Sequence, residues 1–164
     1  MFPFGVYDVE TYGIGNLDLQ LVGAFDGSRY RVFRDMRSFF RHVLDKRYEG
    51  WRWYAHYGGR FDIRFILESI HRIHPMAKFY FNVSGSSIIN FTIAKTRGGK
   101  TRKWHFTDSG RLLPASLARL TREFGVEHEK LEFAPDSVEY NEHDCRATAR
   151  VYEWLRSLVE EESG

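Results

Sequence analysis

Residues Phe4-Gly5-Val6-Tyr7-Asp8-Val9-Glu10-Thr11-Tyr12-Gly13 run apolar and β-rich into two acids separated by one residue. Side chains of a β-strand alternate between faces, so a strand here sends Asp8 and Glu10 to one side and Val9 to the other. Two neighbouring carboxylates repel unless something positive lies between them. A divalent ion is the usual answer, and Mg²⁺ takes few protein carboxylates together with water and phosphate oxygens. A D-x-E triplet also arises by chance in an acid-rich chain, so its meaning rests on which acids the rest of the chain brings to it.

The 164 residues suit a single domain over 1–164 and are short for two. With 43% hydrophobic and 16% aromatic residues, a packed core is expected rather than disorder. The charge is nearly balanced, 24 basic against 22 acidic residues. If several acids gather at a metal site, the remaining surface is more basic than the total implies, which suits a phosphate-rich ligand. The single cysteine, Cys145, excludes an internal disulfide and fits a reducing compartment. No signal-like N-terminus and no apolar run of membrane-spanning length is present, so a cytoplasmic protein without a membrane partner is expected.

Phe4 to Glu10, Leu17 to Phe25 and Arg29 to Phe33 read as three strands of an antiparallel meander joined by short Gly- and Asp-containing turns. Asp35 is a helix N-cap, with a helix through about Arg47 carrying Phe39, Phe40, Val43 and Leu44 at helical spacing. Trp51 to His56 is a strand, and Gly58-Gly59 leads into a helix from Phe61 to about Ile73 that Pro75 ends. Lys78 to Val83, Ser87 to Ala94 and Lys100 to Thr107 are strands, with hairpin turns at Gly85-Ser86 and Gly98-Gly99. Pro114 to Phe124 is a short helix. A last helix begins near Asp136 or Ser137 and runs to about Val159, before an acidic, frayed tail over residues 160–164. A meander followed by alternating strands and helices predicts a mixed α/β domain with helices flanking a central sheet.

Two further acids fall where they could join the first pair. Asp62 stands in the first turn of its helix, where an acid also interacts favourably with the helix dipole whatever its function. Tyr140 and Asp144 are four residues apart on the last helix and share a face. Each alone is more often a structural residue; their order and spacing together are harder to produce by accident.

Asp8-x-Glu10, the segment His56 to Asp62 and Tyr140-x-x-x-Asp144 resemble, in that order, the three exonuclease motifs of the DEDD superfamily in its tyrosine (DEDDy) form. Within that superfamily the chain is most similar to the 3′–5′ exonuclease domain of protein-primed family-B DNA polymerases. Tyr54 to Leu67 is similar to that group's second motif, and Phe106 to Leu120 resembles its aspartate-serine pair ahead of a Pro-containing helix. The likeness runs from Val6 to about Tyr152.

The resemblance implies a ribonuclease-H-like mixed sheet whose first three strands are antiparallel. It implies that Asp8, Glu10, Asp62 and Asp144 bind two Mg²⁺ or Mn²⁺ ions and that single-stranded DNA is hydrolysed from its 3′ end to nucleoside monophosphates. Two such ions can activate a water and offset charge on the leaving oxygen. A phenol, with a pKa near 10, stays protonated at neutral pH and is no efficient base there, so Tyr140 is cast as the hydrogen-bonding group that orients the water. Lys130 occupies the place of a lysine that supports catalysis near the scissile phosphate.

The same resemblance implies nucleic-acid contacts by Thr11, by Phe61 against the terminal nucleotide, and by Ser109. Tyr57 stands where the relatives usually carry Asn, exchanging an amide for a ring that can stack on a base. Lys95, Arg97, Lys100, Arg102 and Lys103 surround one hairpin tip and are candidates for phosphate contact, although charged tips also protect sheet edges. No palm, fingers or thumb follows, so the expectation is a free-standing exonuclease or a proofreading subunit with a separate DNA polymerase as partner. A 3′–5′ RNA exonuclease and a non-catalytic nucleic-acid- or polymerase-binding module of the same fold are the alternatives.

Overall fold

The structure, a computed structural model, describes residues 3–12, 18–55, 69–84, 87–108 and 138–163. In these residues the chain forms β1 (Phe4–Tyr12), β2 (Asp18–Phe25), β3 (Tyr30–Phe33), α1 (Met36–Val43), β4 (Arg52–Ala55), β5 (Lys78–Ser84), β6 (Ser87–Arg97), β7 (Lys100–Asp108) and α2 (Val138–Ser163). Among the described residues the seven strands make one sheet in the order β3-β2-β1-β4-β7-β6-β5. β3, β2 and β1 are mutually antiparallel, β4 lies parallel to both β1 and β7, and β5, β6 and β7 are again antiparallel. This is the expected mixed sheet with an antiparallel opening meander.

Alternation along β1 divides the core between two layers. Tyr7 and Val9 face Val22, Ala24 and the α1 stripe Met36, Phe39, Phe40 and Val43, which recurs at the 3, 4 and 7 spacing of one helix face. Val6, on the opposite side, packs with Phe25 against Cys145 and Ala149 of α2. The stacked rings of Tyr54 and Tyr152, 4.1 Å between centroids, fasten a later turn of α2 to β4. α1 and α2 therefore cover opposite faces of the sheet. Ile70, in a helical segment over residues 69–73, joins the α1 side.

Some element ends differ from expectation. α1 begins at the expected cap, where the Asp35 carboxylate accepts from the Ser38 amide at 2.8 Å, but stops at Val43 rather than near Arg47. Asp45 accepts from the Arg47 amide at 3.0 Å and starts a separate 3-10 turn, Lys46–Tyr48, which turns the Tyr48 ring into the core. Residues 69–73 agree with the end of the helix expected from Phe61, and the His74 amide donates to Ile70 O ahead of Pro75. The β6–β7 pairing continues to Arg97↔Lys100, because Gly98 and Gly99 both adopt positive φ and form a tight two-residue turn. α2 continues past Val159 to Ser163, so the acidic stretch expected to fray is helical there; no glycine or proline interrupts its ladder before Gly164. The helix expected over Pro114–Phe124 lies outside the described residues.

Candidate active site

Asp8 and Glu10 project from the α2 side of β1, opposite Gly23 and Leu21 of β2. A register shift between Glu10 and Thr11 bulges the strand just past the acids. Such bulges bend a strand and re-aim neighbouring side chains, and they are common beside active sites. Thr11, half-buried, follows at the shift, opposite Leu19.

The first two turns of α2 face these acids. Asp144 is half-buried, and burial together with the charge of Glu10 raises its pKa to about 7. The charge of Asp144, then burial, then the charges of Glu10 and Asp8, push the Tyr140 phenol above its ordinary value, so it remains a protonated donor. Asp8, Glu10, Tyr140 and Asp144 thus influence one another across the gap between β1 and α2, although Asp8 and Asp144 are 136 positions apart in the chain. The Asp144 main-chain oxygen also accepts from Thr148 Oγ1 at 2.8 Å.

Asp62, the fourth carboxylate of the expected set, lies outside the described residues, as do Tyr57, Phe61, Ser109 and Lys130. Among the described residues, no three Asp, Glu, His or Cys side chains stand close enough to hold a metal ion. Asp8, Glu10 and Asp144 offer carboxylate oxygens, the ligand type that suits a hard divalent cation. Glu10 already disfavours the charge on Asp144, a conflict that a cation between them would relieve.

The hairpin cations do not form one cluster. Register pairs Lys95 with Arg102 and Arg97 with Lys100 on one face, whereas Lys103 pairs with Ala94 on the other. Arg102 Nε lies 3.4 Å from Glu49 Oε2, and Lys103 Nζ stands 5.9 Å from the centroid of the exposed Tyr80 ring. Arg97 and Lys100 are solvent-exposed at the turn.

Three residues that sequence reasoning missed tie the site together. Asn141 is fully buried, at 0% exposure, next to Tyr140 on α2. Its Nδ2 donates to Asp8 O at 3.1 Å and to Glu10 Oε1 at 3.4 Å. Its Oδ1 accepts from the Tyr30 hydroxyl at 2.8 Å and lies 3.7 Å from Cys145 Sγ. Burial, then the charges of Cys145, Glu142, Asp8 and Glu10, raise the Tyr30 pKa, so that hydroxyl stays a donor. Gly23 makes room for the amide, since a Cβ there would overlap Asn141 Oδ1. A signal was present: Asn141, Cys145, Ala149 and Tyr152 recur at spacings of four, four and three, placing a polar residue at the head of a buried stripe.

The architecture and strand order define a ribonuclease-H-like α/β domain. Two solved structures of phi29 DNA polymerase share it: the complex with single-stranded DNA, at a TM-score of 0.76, and the post-translocation complex with primer-template DNA, at 0.75. In both, the alignment is 16% identical and covers 96% of this chain and 32% of the polymerase. In sequence the chain is 28% identical over 109 residues to a protein described as "Probable DNA polymerase" from Neurospora intermedia, covering 65% of this chain and 11% of that protein. The chain thus spans only a minor part of either protein. No protein-family model matches it.

Proposed function

We propose that the chain is a divalent-metal-dependent 3′–5′ exonuclease of the DEDDy type that hydrolyses single-stranded DNA to nucleoside monophosphates, alone or as the proofreading partner of a DNA polymerase. The observation that carries this is the placement of Asp8 and Glu10 on one face of β1, close enough to the Tyr140–Asp144 face of α2 to shift both of its groups. The similarity to a polymerase bound to single-stranded DNA supports the choice of substrate.

In this proposal Asp8, Glu10 and Asp144, joined by Asp62, hold two Mg²⁺ or Mn²⁺ ions. When bound, these ions supply activation of a water and neutralisation of charge on the scissile phosphate. Tyr140, held protonated by the surrounding carboxylates, donates a hydrogen bond that aims the attacking water. Lys130 offsets phosphate charge. Thr11, Tyr57, Phe61 and Ser109 grip the 3′ end, whereas the register sets Arg97 and Lys100 at the opposite end of the sheet from Asp8 and Glu10.

The test is digestion of 5′-labelled single-stranded DNA, with an RNA of the same sequence in parallel, in the presence of Mg²⁺ or Mn²⁺. A ladder shortening from the 3′ end, abolished by EDTA and by the Asp8→Ala, Glu10→Ala double substitution, is expected on DNA. Faster digestion of RNA would reassign the substrate. Internal cuts, or activity that survives the double substitution, would overturn the assignment.

A further inference from the structure

We infer that Asn141 is a positioning residue for Glu10, held in a single amide orientation by Tyr30, and that the chain Tyr30–Asn141–Glu10 sets how tightly the site takes up a divalent cation. The inference rests on the metal-dependent function proposed above and adds a device that the four carboxylates alone do not require.

A buried amide is unfavourable unless its donors and acceptor are used. Asn141 uses both ends. Two donors, Tyr30 Oη and Cys145 Sγ, face its oxygen, and two acceptors, Asp8 O and Glu10 Oε1, face its nitrogen. Rotating the amide by half a turn would set its oxygen against a carbonyl and a carboxylate, so only the observed orientation is compatible with both acids. The Tyr30 hydroxyl reinforces that orientation from β3, the far side of β2. The close approach of Gly23 leaves the amide little room to swing.

The consequence falls on Glu10. A glutamate side chain loses several rotamers when it is ordered for binding. Anchoring Oε1 to Asn141 removes part of that loss before any ion arrives and fixes where the second oxygen stands. Partners behind a metal ligand tune affinity in this way even though they never touch the ion. The Asp8 bond acts differently: it reaches the main chain of β1 and fixes the strand's distance from α2, so one amide locates both acids.

Mn²⁺ titrated calorimetrically into the chelator-treated full chain tests this, with Tyr30→Phe, Asn141→Leu and wild type compared alongside thermal melts in EDTA. Tyr30→Phe keeps the ring and removes only the hydroxyl that orients the amide. It should fold and bind Mn²⁺ about three- to tenfold more weakly, the loss expected for one hydrogen bond. Its turnover at low Mn²⁺ should fall and be restored by raising Mn²⁺, with the KM for the oligonucleotide unchanged. Asn141→Leu should weaken Mn²⁺ binding further; if it does not fold, Tyr30→Phe decides. Identical titration curves for wild type and the folded variants would overturn the inference while leaving the metal site standing. A wild-type chain that takes up no Mn²⁺ would overturn both.

Discussion

Gly23 on β2 and Asn141 on α2 stand so close that a methyl group on Gly23 would overlap the Asn141 side-chain oxygen. The buried side chain of Asn141 on the last helix therefore rests directly on strand backbone at the point where the acids emerge. Gly23→Ala should force α2 outward and destabilise the fold by about 1–3 kcal/mol, the usual range for overpacking. For a domain of this size that corresponds to a drop in Tm of roughly 3–10 °C, read by thermal melts. A melt unchanged within 1 °C, as an order of magnitude from the same scaling, would show that the helix is not seated there.

The carboxylates should behave as a functional set rather than as stabilising charges. Asp8→Ala with Glu10→Ala should reduce nuclease activity by at least about 100-fold, beyond the range seen for groups that merely support metal ligands. In EDTA the same protein should melt close to wild type, because relief of the like charges crowded against Asp144 offsets loss of the Asn141–Glu10 hydrogen bond. A large fall in Tm would recast the pair as structural.

His42 provides a pH handle remote from the acids. Burial, then the charges of Arg47 and Arg31, hold its pKa below 6.5, while Asp26 and Asp45 pull the other way. Arg47 Nη2 and His42 Nδ1 lie 3.2 Å apart, a contact that needs the neutral imidazole nitrogen as acceptor. A depressed folded pKa means this contribution to stability is full above pH 6.5 and is lost as pH falls through the folded value. His42→Phe keeps the contacts with Phe33 and Tyr48 but cannot titrate. Its Tm should vary less than wild type between pH 7 and about pH 5, the window in which His titrates. Parallel Tm–pH curves would assign the dependence elsewhere.

Salt dependence tests whether a bound strand reaches the exposed cations of the β6–β7 turn, at the other end of the sheet from Asp8 and Glu10. If Arg97 and Lys100 each neutralise one backbone phosphate, the slope of log K against log salt for a single-stranded oligonucleotide should decrease by about 0.7 per residue in Arg97→Ala and Lys100→Ala. Arg102→Ala should change the slope less, since Arg102 already faces Glu49. Slopes unchanged from wild type in all three variants would mean the hairpin tip is an ordinary solvated loop.

Strands and the opposed projection of Asp8–Glu10 and Val9 were legible from sequence because alternation is a local property, and the Asp35 cap was legible because its partner is three residues away. The end of α1 was not. Leu44 continues an apolar spacing that fits a longer helix, while Asp45 prefers to cap a new turn. The five hairpin cations read as one cluster because composition carries no register; pairing Lys103 with Ala94 sends it to the opposite face. Asn141, Tyr30 and Gly23 were hidden for another reason. Each is unremarkable in its own segment, and only the docking of α2 on β2 makes an amide, a phenol and a missing side chain one unit.

The bond from Asn141 to Asp8 joins positions 133 residues apart, and it has a consequence for the order of folding. Contacts of such separation close late, because the intervening chain must first give up its conformational freedom. During synthesis β1 emerges early, with its two acids exposed and unable to converge on anything. Only when α2 leaves the ribosome and seats over Gly23 do the opposing carboxylates come together. A chain with the sheet formed but the last helix undocked should therefore lack the proposed activity. Formation of the site would then report completion of the fold.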